Sequence, residues 1–216
     1  VASDGVANSV AIREDGLGMI AIEATDKTAP GQLVFFDADA ATADAATLGT
    51  VQVGALPDMV TLSADGTSAV VANEGEPTDD FSSDPEGSIG VVALPSGKAA
   101  PAQSAVRIAD FHAYEAEDAL DPDVRVFGPT PEADFPVSRN LEPEYITVVG
   151  GTAYATLQEA NAIAVVDLAS ATVTDIHALG FKDHGLAANA LDPSDRDDRV
   201  EFRTYEGLKG VYQPDA

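Results

Sequence analysis

Short apolar runs alternate with turn-forming residues along most of the chain, which is the pattern of a protein built from β-strands. In the first part of the sequence this pattern predicts strands at residues 8–13, 17–23, 32–37 and 47–53. The stretch 38–46 is rich in Ala and Asp but has no apolar stripe, so we expect a long turn there and not a helix. The four strands form a first set.

The same order of strands and turns occurs twice more. The second set is predicted at 58–62, 68–73, 88–94 and 104–109, and the third at 144–149, 152–157, 162–168 and 172–177. The two sets begin alike, with PDMVT at 57–61 and PEYIT at 143–147, and QPDA at 213–216 looks like the start of a fourth copy. Repeated units of four strands over roughly 40–50 residues are typical of β-propeller blades.

A plain antiparallel sandwich is the alternative, because it also has short strands with frequent turns. The internal similarity favours the propeller. We therefore predict an all-β fold, a partial β-propeller of four-stranded antiparallel blades, with about three blades and the start of a fourth. The chain, 1–216, is predicted to be a single incomplete domain with blades near 8–53, 58–109 and 144–177, interrupted by long inserts at 111–140 and 181–212.

Three blades do not close a ring, and an open propeller exposes two sheet faces. We therefore expect the remaining blades to come from a longer polypeptide or from a partner chain.

The charge of the chain excludes several classes of partner. There are 37 acidic against 11 basic residues, a formal net charge of −26, so the chain is predicted to bind neither nucleic acid nor anionic membrane surfaces. The absence of Cys excludes disulfides, thiolate metal sites and a cysteine nucleophile. No apolar run is long enough to span a bilayer, so no membrane span is predicted.

The most acidic stretch lies between the second and third strands of the second set. Six carboxylates fall within thirteen residues there, and no Lys or Arg lies near them in the sequence. Carboxylates crowded in this way suit a hard cation such as Ca²⁺, but a solvated hairpin loop is an equal alternative. The candidate ligands are Asp79, Asp80, Asp84 and Glu86.

A second acidic run, 192–198, supplies Asp195 and Asp197 as further candidate Ca²⁺ ligands. The two alternate, as ligands of a calcium loop do, but no Gly follows them and the next Glu, Glu201, comes too early. A solvated turn is therefore the favoured interpretation of this run.

Polar residues also recur at equivalent positions of the repeats. Since the inner strands of a propeller converge on its axis, these residues are candidates for binding a ligand near the central channel. The candidates are Asn73, Glu74, Glu142, Glu144, Gln158 and Glu159. Capping of turns is the alternative, and we favour it for Asp58 and Asp215.

The triplet Lys182-Asp183-His184 is a weak catalytic candidate, because Lys can hold a phosphate and His can act as a base. No Gly-x-Ser-x-Gly elbow and no phosphate-binding Gly-rich loop occurs. Three His residues give little support to a metal site built from imidazoles, and no nucleotide or organic cofactor is expected.

Several stretches between residue 56 and the end of the chain resemble the choice-of-anchor I family of secreted bacterial proteins. They are VVANEGEP (70–77), DPEGS (84–88), NLEPEYI (140–146), LQEANA (157–162), LGFKDH (179–184) and YQPDA (212–216). The resemblance implies a YVTN/WD40-like propeller in an exported and usually longer protein, whether extracellular, cell-surface or periplasmic. The chain departs from the family pattern at AANA (187–190) and at Asp198-Arg199, where a Gly usually ends the acidic run.

Some members of the family are labelled alkaline phosphatases or resemble phytase-like esterases, and others are called cell-surface glycoproteins. Two hypotheses follow. The first is an exported, Ca²⁺-stabilised propeller that acts as a binding or cell-surface interaction module for an unidentified ligand. The second is a metal-dependent phosphoesterase, in which carboxylates hold the cation and Lys182 or His184 meets the phosphate.

Overall fold

A computed structural model describes residues 5–116, 118–126 and 136–215, which fold into three four-stranded antiparallel sheets. Blade I consists of β1 (Ala7–Ile12), β2 (Leu17–Ile22), β3 (Pro30–Asp37) and β4 (Thr47–Ala55). Blade II consists of β5 (Pro57–Leu62), β6 (Ser68–Asn73), β7 (Ser88–Ala93) and β8 (Val106–Ala109). Blade III consists of β9 (Pro143–Val149), β10 (Thr152–Leu157), β11 (Ala162–Asp167) and β12 (Thr172–Ala178). In each blade the strands pair in chain order.

The described residues contain little else that is regular. One helical turn, α1 (Ala43–Ala46), lies in blade I, and four short 3₁₀-helices cover Gln103–Ala105, His112–Tyr114, Val137–Arg139 and Ala187–Asn189. The strands β13 (Lys182–Asp183) and β14 (Lys209–Gly210) form a small sheet of their own. None of these helices is long and apolar enough to cross a membrane.

The expectation of a turn without helix at 38–46 is wrong for its last four residues. The hydroxyl of Thr42 accepts a hydrogen bond from the backbone N–H of Ala45 at 3.3 Å, which caps α1. Alanine has the highest helix propensity, so a cap and three Ala residues are enough for a single turn even without an apolar stripe.

The blades are arranged radially. The first strand of blade II, β5, lies between the first strands of the other two blades, β1 and β9. On β6, the side chains of Ala69 and Val71 pack into a core shared with blade I, whereas Val70 and Ala72 pack into a core shared with blade III. Both faces of blade II are therefore buried, and the arrangement is the predicted partial β-propeller and not a two-layer sandwich.

Among the described residues, no further blade packs against the outer face of blade I or of blade III. Val10 on β1 is 60% exposed, and Val149 on β9 is 66% exposed. Tyr145 and Tyr154 on adjacent strands of blade III are also exposed. Apolar and aromatic side chains of this kind are typical of a face that packs against another blade, but here they are exposed.

The two ends of the blades differ. We call the end at which β1, β5 and β9 begin the loop end, and the opposite end the turn end. Because the strands are antiparallel, the long connections 74–87, 110–142 and 179–215 all leave from the loop end. Part of the predicted insert 111–140, namely 117 and 127–135, lies outside the described residues. The turn end carries mostly tight turns, such as those at 13–16 and 63–67.

The segment before Asp215 shares two features with the link between blades I and II. Leu56 and Gln213 both precede Pro and both have positive φ, 45° and 46°. A buried Asn side chain holds each link: the Oδ1 of Asn73 accepts from Gly54 N at 3.1 Å, and the Oδ1 of Asn161 accepts from Tyr212 N at 2.7 Å. This geometry agrees with the predicted start of a fourth repeat, whose last residue, 216, lies outside the described part.

Candidate functional site

The candidate site lies at the loop end, where blades II and III and the segment after residue 213 each begin with proline and an acid. Asp58 and Glu144 are the second residues of β5 and β9, and Asp215 follows Pro214 in the same way. Burial has the largest effect in raising the pKa of both Asp58 and Glu144, and the charge of Asp215 adds to it. The three carboxyl groups therefore lie within electrostatic reach of one another at the loop end.

Further carboxylates reach this place from the connections between strands. The backbone N–H of Glu74 donates to the carbonyl of Leu56 at 2.9 Å, which fixes Glu74 beside the start of β5. Gly87 donates its N–H to the carbonyl of Ser138 at 3.1 Å, and a Cβ on Gly87 would collide with the carbonyl of Leu141. This close approach places the acidic loop against the segment that carries Glu142.

We call the whole group the loop-end cluster. It consists of four residues with raised pKa values, Asp58, Glu74, Glu142 and Glu144, and four whose charges contribute to those shifts, Glu76, Asp84, Glu159 and Asp215.

Burial and mutual repulsion make several of these groups weak acids. Burial, and after it the charges of Glu144, Glu76, Asp58 and Glu142, together raise the pKa of Glu74 to about 8. The pKa of Glu142 is also about 8 and that of Glu144 about 7, in each case first from burial and then from neighbouring carboxylates. Carboxyl groups in this state are stabilised by protonation or by a cation.

Two oxygen atoms of the loop-end cluster are buried without a hydrogen-bond partner, Oδ1 of Asp84 and Oε2 of Glu159. A buried carboxylate oxygen without a donor calls for a proton, a water molecule or an ion. The donor set consists of carboxylates, which are the ligands that Ca²⁺ prefers. Within the described residues, however, no three acidic or His side chains are already arranged to hold a metal ion. The donors fit Ca²⁺ chemically, but they do not form a finished coordination shell.

The predicted metal ligands in the acidic loop are not brought together. Asp79 is exposed, and the carboxylate of Asp80 accepts from Thr78 and Ser82 in a local turn. Oε2 of Glu86 lies 2.7 Å from Nε2 of His112. Of the four candidate ligands, Asp84 alone belongs to the loop-end cluster.

Positive charge reaches this loop from distant parts of the sequence. In addition to His112, Lys27 of blade I pairs with Glu76 at 2.9 Å. The charge of Arg139 lowers the pKa of Asp84, although burial has the larger effect and raises it.

The second acidic run has the contacts of a solvated turn. The side chain of Asp195 is 96% exposed and lies 3.9 Å from Arg196. Asp197 pairs with Arg199 at 3.0 Å. Asp192 accepts hydrogen bonds from the backbone N–H groups of Ser194 and Glu201, as a turn-capping residue does. Asp195 and Asp197 are therefore engaged with arginines of the same loop.

The side chain of Asn73 forms hydrogen bonds within the protein interior. It is fully buried, and besides accepting from Gly54 it donates to the hydroxyl of Ser88 at 3.2 Å. Gln158 lies in the turn after β10, where its carbonyl accepts from Asn161 N at 3.0 Å. Of the predicted ligand-binding residues, Glu74, Glu142, Glu144 and Glu159 come together in the loop-end cluster.

The catalytic candidates lie in the small β13–β14 sheet. Lys182 and Asp183 pair with β14, and the Nδ1 of His184 lies 2.7 Å from the carbonyl oxygen of Asn189. The carboxylate of Asp183 accepts from Gly185 N at 2.8 Å. These contacts are local, and none of them reaches the loop-end cluster.

The interpretation of Asp58 and Asp215 as turn caps is wrong for Asp58. Among the described residues it accepts no capping hydrogen bond, and its pKa is raised first by burial and then by Asp215 and Glu23. The signal in the sequence was the repeated pair of proline and acid, which marks the same place in successive blades.

Comparisons with known proteins give one family and two similar solved structures. The sequence profile of the choice-of-anchor I domain family matches residues 1–216. Among solved structures, the chain is similar to part of a nidogen/laminin complex, with 12% identity over 79% of this chain and 46% of that one, and a TM-score of 0.40. It is also similar to apo AztD from Citrobacter koseri, with 15% identity over 83% of this chain and 37% of that one, and a TM-score of 0.43.

The chain thus spans less than half the length of these two structures. No curated protein sequence matches it significantly.

Proposed function

Because the chain belongs to the choice-of-anchor I family, we propose that it is an exported β-propeller module for binding or cell-surface interaction, and that Ca²⁺ stabilises its loop end. The observation that carries the calcium proposal is the state of the loop-end cluster. Glu74, Glu142 and Glu144 are half-buried with raised pKa values, and the neighbouring charges that raise them are other carboxylates.

A divalent cation would relieve this repulsion. Glu142 lies within the electrostatic reach of both Glu159 and Asp84, the two acidic residues of the described chain that have an unpartnered buried oxygen. These three side chains are the proposed ligands, with Glu74 and Glu144 as neighbours that become easier to ionise once the cation is bound. Since no complete shell is preformed, we expect the acidic loop 74–87 to become more ordered on binding.

Thermal unfolding at pH 8 tests this proposal. Ca²⁺ at 100 times its dissociation constant should raise the free energy of unfolding by about 2.7 kcal/mol, and a chelator should reverse the effect. Glu142→Gln together with Glu159→Gln should remove most of the stabilisation. Equal stabilisation by Na⁺ at the same ionic strength would reduce the effect to screening, and unchanged melting would reject a calcium site.

We also propose that further blades, from a longer polypeptide or from a partner chain, cover the outer face of blade III. The exposed Tyr145, Val149 and Tyr154 and the blade-like link before Asp215 support this. Amide hydrogen exchange provides the test. Strands β9 and β10 should exchange more slowly in the protein isolated from its natural source than in the chain 1–216 produced alone, and equal rates would contradict the proposal.

The phosphoesterase hypothesis remains a prediction from the family resemblance. No described contact joins Lys182 or His184 to the loop-end cluster, so no structural observation favours it over the binding module. Release of p-nitrophenol from p-nitrophenyl phosphate, dependent on Ca²⁺ and lost in Lys182→Ala or His184→Ala, would reverse this preference.

A further inference from the structure

A second candidate site lies at the turn end, away from the loop-end cluster. A groove of about 620 Å³ opens there between blades I and II. Three connections line it, at 12–15, 62–67 and 94–96. Pockets that bind small molecules have volumes of about 300–1,000 Å³, so the groove has the size for such a ligand.

Arg13 fixes the shape of the groove. Its side chain is 11% exposed, and all five of its N–H groups are used. Nε and one N–H of Nη2 donate to the carboxylate of Asp15 at 2.8 Å each. The other N–H groups donate to the carbonyls of Gly66 at 3.2 Å, Pro95 at 2.7 Å and Gly97 at 3.1 Å. The guanidinium therefore has no donor left for an anionic ligand.

The remaining charges of the groove are negative. The carboxylate of Asp65 accepts from the hydroxyls of Ser63 at 2.7 Å and Thr67 at 2.8 Å, and these bonds lower its pKa, so it is ionised at neutral pH. Glu14 has no hydrogen-bond or ion-pair partner in the part of the chain that the structure describes. Since Arg13 is balanced by Asp15, the groove as a whole is anionic.

The walls supply apolar surface beside these acids. Leu62, Leu94 and Pro95 are half-buried along the groove, and Leu62 and Leu94 pack against the core shared by blades I and II. We propose that the groove binds a small organic amine with an apolar body, the ammonium group at Glu14 and the body against the leucines. Charge complementarity selects the cation, and the apolar walls select an alkyl or arylalkyl substituent over a bare ammonium ion.

Binding of 4-phenylbutylamine to the chain, followed by NMR of labelled methyl groups, tests the proposal. We expect saturable shifts at the methyl groups of Leu62 and Leu94. The neutral analogue 4-phenylbutanol should bind about tenfold more weakly, because it lacks the charge-assisted hydrogen bond.

A matched pair of variants separates the groove from the general negative charge of the chain. Glu14→Gln should weaken binding of the amine about tenfold, whereas Glu206→Gln, which removes the same charge from an exposed loop, should leave it unchanged. Equal affinity for amine and alcohol, equal weakening by the two variants, shifts at the loop end only, or no saturation would each overturn the proposal.

Discussion

The two ends of the propeller hold their acidic residues in opposite states. At the turn end, hydrogen bonds from Arg13, Lys98, Ser63 and Ser170 lower pKa values. The residues affected are Asp15, Asp37, Asp65 and Asp167. At the loop end, burial and neighbouring carboxylates raise the pKa values of Asp58, Glu74, Glu142 and Glu144.

The difference lies in where the hydrogen-bond donors come from. In the turns, a donor is close in the sequence: Asp65 accepts from Thr67 N at 3.1 Å, and Asp15 accepts from Leu17 N at 3.2 Å. Glu142 and Glu144 flank Pro143, which has no N–H to donate, and their neighbours from other segments are themselves acidic. The turn-end acids are thus stabilised as carboxylates by donors of the fold itself, whereas Glu74, Glu142 and Glu144 at the loop end are more easily protonated.

The largest expected effect is on the pH dependence of stability in the absence of Ca²⁺. The loop-end carboxyls have pKa values of about 7 to 8 when folded, so the folded state binds more protons than the unfolded state between pH 4.5 and 8. The free energy of unfolding should therefore fall by about 3 kcal/mol over this range, allowing for screening at half-buried groups. Denaturant titrations at a series of pH values measure it.

The turn-end acids should have the opposite effect at low pH, where the free energy of unfolding should decrease as the pH falls. Asp15 has a pKa of about 2 when folded, so its contribution is present above pH 4 and is lost as the pH falls toward 2. A stability maximum near pH 4–5 is expected. His112, whose pKa is raised first by Glu86, acts in the same direction as the loop end, so His112→Asn is the control. A flat profile from pH 5 to 8 in that variant would remove the distinction between the two ends.

The next largest effect concerns Arg13, whose guanidinium links a turn of blade I to two connections of blade II. Replacing Arg13 by Met leaves Asp15 and three backbone carbonyls without their donor, and we expect a loss of about 3 kcal/mol in the free energy of unfolding. Arg196→Met is the matched control, because that side chain is 93% exposed and should change stability by less than about 0.5 kcal/mol. Equal losses in the two variants would show that Arg13 does not join the blades.

Much of the fold was predictable from sequence, because alternation and turn residues are local signals. Two predicted strands, 68–73 and 152–157, have the observed bounds, and the repeat of PDMVT in PEYIT indicated the radial arrangement. The loop-end cluster was predictable only in part. Glu74, Glu142, Glu144 and Glu159 follow from repeat position, but a single sequence gives no signal for long-range pairs such as Lys27 with Glu76.

Removing one negative charge at each end should change the free energy of unfolding by a smaller amount, and in opposite directions at the two ends. Glu142→Gln keeps the shape of the side chain and removes repulsion, so at pH 8 without Ca²⁺ it should stabilise the chain by about 1 kcal/mol. Asp65→Asn removes a carboxylate that accepts three hydrogen bonds and should destabilise it. Urea denaturation of both variants provides the comparison, and changes of the same sign would contradict the assignment of the two ends.

The smallest effect is expected in the acidic run 192–198. Asp195 is almost fully exposed, and Asp197 already has Arg199 as its cation at 3.0 Å. Surface pairs of this kind contribute between about 0 and 1 kcal/mol, so the double variant Asp195→Asn and Asp197→Asn should change stability within that range. The stabilisation by Ca²⁺ at pH 8 should also be unchanged. If the double variant instead lost the stabilisation by Ca²⁺, the ion would bind in the run 192–198. The proposal that Ca²⁺ binds at the loop-end cluster would then be wrong.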